Sequence, residues 1–179
     1  MNVGIKMTLE LLARSAWLSR FDPRVQLLAR DVTDVETGRA DKMRALVDEL
    51  HRRFVLAPDP PTQERSVMDL FDINKLDEQM RREIDSVVNP RPSIDADDAC
   101  VFVAAAAMSV GIPCRFVGVR YGSSWTCWLS FEVDSPPTAS CTKPTPEPRW
   151  EMIDPLRQKK PDHEPDEQVL AGTWAETTP

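Results

Sequence analysis

Ser93-Ile94-Asp95-Ala96-Asp97-Asp98-Ala99-Cys100, then the apolar run from Val101 to Val110, then Gly111-Ile112-Pro113-Cys114-Arg115-Phe116-Val117, is the stretch on which the fold turns. Its aspartates offer carboxylates to the free amides of a helix start and suit the positive end of the helix dipole. The run that follows holds four consecutive alanines and no charge, so it predicts a helix from about Asp97 to Val110 that is apolar all round and therefore buried. Gly111 and Pro113 supply the stop, one residue free to take a positive φ and one unable to continue the helix.

Downstream the period changes. Trp125, Cys127, Leu129, Phe131 and Val133 alternate with Thr126, Trp128, Ser130 and Glu132, the pattern of a strand with one face in the core. Cys114 to Arg120 reads as its partner, joined through Tyr121-Gly122-Ser123-Ser124, and Arg149 to Asp154 as a third strand. Asp134 to Pro148 carries five prolines and reads as an exposed loop. The tail after Pro155 is charged, with Val169, Leu170 and Trp174 as its anchors.

Upstream, Thr8 is the expected cap of a helix through about Ser19, and Asp22-Pro23 of a second through about Arg30. Met43, Leu46, Val47, Leu50 and Phe54 fall at helical spacing and define a third. Pro58-Asp59-Pro60-Pro61 and Asn89-Pro90-Arg91-Pro92 bracket weakly helical, charged sequence. The expected organisation is an N-terminal helical region over 1–56, a linker and weakly helical segment over 57–92, a core over 93–155 and an extended or partly disordered tail over 156–179.

With 179 residues, 41% of them hydrophobic, the chain suits one domain. A net charge of −7 argues against binding nucleic acid. Lys6, Glu10 and Arg14 interrupt the apolar N-terminus, so neither a signal peptide nor a membrane span is expected, and the expected location is cytoplasmic. Cys100, Cys114, Cys127 and Cys141 lack the close pairing of zinc sites and read as reduced, mostly buried thiols. Asp95, Asp97 and Asp98 read as helix-start carboxylates rather than a cation site; no metal or cofactor is expected. His51 reads as a solvated side chain, and His163 lies in the tail.

The segment from Ser93 to Val117, together with Trp125-Thr126-Cys127 and Trp150-Glu151-Met152-Ile153-Asp154-Pro155, resembles the core of the transglutaminase-like domains, which are related to papain-like cysteine peptidases. The resemblance covers roughly residues 93 to 155. It implies an α+β fold in which a buried central helix packs on an antiparallel sheet of at least three strands, behind an N-terminal helical region. It also implies where a catalytic triad would stand: a cysteine at the helix N-terminus, where the dipole favours thiolate, a histidine on the next strand, and an aspartate orienting that histidine. Carried onto this chain, the nucleophile position is Ala96, the histidine position is Cys127, and Asp154 alone keeps the family residue. An engineered Cys-to-Ala exchange would account for Ala96 but not for Cys127, so natural loss of catalysis is the expectation.

The resemblance thus implies a pseudoenzyme serving as a structural or protein-interaction module, with a protein partner or a second copy. Small stand-alone domains of this kind are similar to forms encoded by tailed bacteriophages, which implies a place in a virion head or tail. Two other readings use the same residues. One is a residual hydrolase or acyltransferase employing Cys127 or Cys100 with Asp154. The other is a peptide-binding module that keeps the former cleft, with Asp95, Asp97, Trp125 and Trp150 as its lining.

Overall fold

The computed structural model describes residues 3–56, 93–133, 148–156 and 165–170. The fold is α+β. Helices α1 (Val3–Ser19), α2 (Pro23–Thr33) and α3 (Arg39–Arg53) lead into β1 (Val55–Leu56). After them come β2 (Ser93–Ile94), α4 (Ala96–Ser109), β3 (Cys114–Tyr121), β4 (Ser124–Glu132), β5 (Trp150–Ile153) and β6 (Glu167–Leu170).

The central helix forms where its sequence demands. Every residue of α4 from Ala99 to Ala107 is buried. Its end is a Schellman motif: Ile112 N–H donates to the Ala107 carbonyl at 3.0 Å and Gly111 N–H to that of Met108 at 3.2 Å. Gly111 sits at φ +80°, which a side chain would resist. Burial of Ile112 completes the motif.

β3, β4, β5 and β6 form one antiparallel sheet in the order β5-β4-β3-β6. Tyr121 pairs with Ser124, so the hairpin turns on Gly122 and Ser123 alone, and Gly122 takes the φ of +60° that a two-residue turn of this hand requires. The inner face carries Cys114, Phe116, Cys127, Leu129, Phe131, Ile153 and Val169 onto α4. α1, α2 and α3 pack around the rest of α4, contributing Leu9, Ala13, Ala16, Val25, Ala29, Met43, Leu46, Val47 and Leu50 to the same core.

Several expectations are corrected. Thr8 is no cap: α1 begins at Val3, and the Thr8 hydroxyl donates back to the Gly4 carbonyl at 3.1 Å. Packing of Ile5 and Leu9 on the core extends the helix past the point where propensity alone would start it. Asp22 does cap α2, accepting from Arg24 N–H at 2.8 Å, but that helix runs on to Thr33, whose hydroxyl satisfies the Ala29 carbonyl at 2.7 Å. The second face of β4 is not simply solvated, because Trp128 packs with Val117, Val119 and Met152 in a small outer cluster. Part of the tail is a strand: β6 pairs with β3, buries Val169 and leaves Leu170 outward. The segment 57–92, most of the proline-rich loop 134–148, Cys141, His163 and Trp174 lie outside the described residues.

Candidate functional site

The site is built where the start of α4 meets β4. Asp95 precedes the helix in extended conformation, and its carboxylate accepts the Asp98 amide at 3.1 Å. This is a capping bond, which occupies Asp95 with the helix itself. Ala96 is the first helical residue, so a methyl group stands where the dipole would favour an anion. Asp97 projects to the surface beside it.

One turn further in, Cys100 is fully buried, and its thiol donates to the backbone carbonyl of Cys127 at 3.2 Å. Burial pushes the Cys100 thiol well above its ordinary value, and its hydrogen bond with Cys127 and the charges of Asp154 and Asp97 add to the rise. All of these favour the neutral thiol, the unreactive form. Cys127 is 6% exposed, and its own thiol points to the Trp128 carbonyl at 3.7 Å. Asp154 is 5% exposed and accepts the Leu156 amide at 3.0 Å. The three positions that the resemblance singled out lie on successive elements: α4 carries Ala96, β4 carries Cys127, and Asp154 follows β5.

A cleft of about 140 Å³ opens here, lined by Asp97, Trp125, Thr126 and Cys127 on one side and by Ile5, Thr8, Leu9 and Leu12 of α1 on the other. α1 forms one wall of this cleft. Gly118 is what lets it approach: a Cβ there would stand 3.1 Å from both Ile5 Cγ2 and Leu9 Cδ1. The remaining space is well below the ~300–1,000 Å³ of ordinary ligand clefts.

Of the residues expected to line a former cleft, the structure brings Asp97 and Trp125 together. Asp95 serves as a cap. Trp150 lies apart, on a separate depression with Ala40, Arg44 and Phe131, its ring under the Arg115 guanidinium at 3.7 Å. His51 is not a solvated side chain: half-buried on α3, its Nε2 lies 2.7 Å from the Pro155 carbonyl, tying that helix to the residue after Asp154. The part played by α1 escaped sequence reasoning, although a lone glycine inside the strand pattern Val117-Gly118-Val119 is the sign of close approach by another element. Among the described residues no group of His, Cys, Asp and Glu side chains is placed to hold a metal ion, and no helix is long and apolar enough to cross a membrane.

No family model matches this chain, and no curated protein matches it. A solved structure of a provisionally assigned protease from Parabacteroides distasonis is similar at a TM-score of 0.41 and 13% identity, over 68% of this chain. The chain spans about a quarter of that protein, 24% of its length.

Proposed function

We propose that this protein is a catalytically silent transglutaminase-like domain that works as a structural or protein-interaction module. One observation carries the reading: the only atom offered at the nucleophile position is the methyl carbon of Ala96, while the nearest thiol, Cys100, is buried, hydrogen-bonded to a carbonyl and held neutral. A methyl group forms no acyl intermediate, and a buried thiol held in its neutral form attacks a carbonyl too slowly to replace it. The residual-hydrolase reading asks for a thiolate at Cys100 or Cys127 that this environment opposes. The peptide-binding reading asks for a roomy cleft, and with α1 as one wall only about 140 Å³ remains.

The test is a thiol-reactivity profile on the native protein, combined with mild pull-down and mass spectrometry from its native source. Unreactive Cys100 and Cys127 with a stoichiometric protein partner, virion proteins included, is the expected result. One hyper-reactive cysteine, or turnover of an acyl substrate by the unmodified protein, would overturn it.

A further inference from the structure

Helix α1 is apolar on two opposite sides. One side, Ile5, Leu9, Leu12, Ala13 and Ala16, packs on the core. At 3.6 residues per turn the opposite side gathers Val3, Met7, Leu11 and Leu18, which are 73%, 62%, 56% and 59% exposed. A helix apolar on two opposite sides asks for a layer on each, and among the described residues α1 has one. The outward positions 7, 11, 14 and 18 follow the four-three-four spacing of a two-helix seam. Arg14 sits within this stripe, exposed and without an ion pair among the described residues. Glu10 flanks it and, among the described residues, pairs with Lys6 at 3.9 Å.

We propose that this stripe docks against the same stripe of a second copy of the chain, with the two α1 helices antiparallel about a two-fold axis. The charges choose the partner and the direction. With Met7 facing the partner's Leu18, Arg14 enters the seam opposite the partner's Leu11 and lies beside the partner's Glu10, and symmetry repeats this ion pair. A parallel arrangement would set Arg14 against the partner's Arg14. A helix of this length presents only about 25 Å of seam, so the interface is a small one and the association weak and reversible. The inference rests on the proposed interaction role and names its surface.

Sedimentation equilibrium of the full chain, from about 1 μM to about 100 μM, reads the association directly. The expected result is a reversible dimer that Leu11→Glu converts to monomer at every concentration, with an unchanged circular dichroism spectrum. Glu10→Arg and Arg14→Glu should each weaken association about tenfold or more, and the two together should restore it. A wild-type chain that stays monomeric, or a dimer indifferent to Leu11→Glu, overturns the inference and leaves the interaction role to the pull-down. Charge reversals that fail to rescue each other overturn the antiparallel register.

Discussion

α4 and α1 are two apolar helices with opposite fates. α4 lies beneath α1, α2, α3 and the sheet, and nothing from Ala99 to Ala107 reaches solvent. α1 rests on α4 and on β3, yet shows Val3, Met7, Leu11 and Leu18 to the outside. Composition says how much cover a helix asks for, and topology says whether this chain supplies it. The largest effect is accordingly expected inside α4. Phe102 is fully buried and meets Phe54 edge to face at 5.5 Å, so Phe102→Ala should cost about 3–5 kcal/mol in urea unfolding. Leu11→Ala on the outward side of α1 should stay within about 0.5 kcal/mol when measured on dilute monomer. An equal loss at both positions would erase the contrast.

The contact between the two helices and the sheet gives the next largest expectation. Gly118→Val pushes branched carbon against Ile5 and Leu9 and should cost about 1–3 kcal/mol. If α1 lifts in response, Cys127 should alkylate faster than in the parent; loss of stability with an unchanged Cys127 rate would mean that the strain is absorbed elsewhere. At the start of α4, Asp95→Ala removes the bond to the Asp98 amide and should cost about 1 kcal/mol, with Asp95→Asn retaining most of it. A null result would show that tertiary packing alone fixes the helix start.

The smallest effect is expected on α3, at Glu49. Burial disfavours the charged form of Glu49, but hydrogen bonds from Arg52 and Arg53 outweigh it and hold the carboxyl below its ordinary value. A depressed carboxyl stabilises the fold above that ordinary value and loses its contribution as pH falls through the depressed one. The difference in melting temperature between the parent and Glu49→Gln should thus be present at neutral pH and close below about 4.5. A gap independent of pH would assign the loss to packing rather than charge.

The central helix, its stop and the hairpin were legible because each carries its own signal: an uncharged run, a Gly-Ile-Pro stop, and strict alternation beside a glycine. The grouping of Ala96, Cys127 and Asp154 came from a resemblance to transglutaminase-like domains, not from those local signals. What escaped the sequence depended on distant partners. Val3 to Met7 join α1 only because Ile5 finds the core, Glu167 to Leu170 form a strand only because β3 offers an edge, and Trp128 is buried only because Val117, Val119 and Met152 surround it. His51 gained its bond from Pro155, 104 positions away. None of these pairings leaves a local trace. Grouping Trp150 with Trp125 failed for a related reason, since two tryptophans on neighbouring strands share no surface unless register places them on it.

The parallel pair of β1 and β2 holds Val55 opposite Ser93 and Leu56 opposite Ile94. Because the pair is parallel, Leu56 and Ser93 are joined by a crossover rather than a hairpin, with both of its ends pinned. Closing a longer excursion at fixed ends costs only about 0.6 kcal/mol per doubling. Lengthening that crossover is therefore cheap in closure entropy as long as the pairing of Val55 with Ser93 and Leu56 with Ile94 holds its ends.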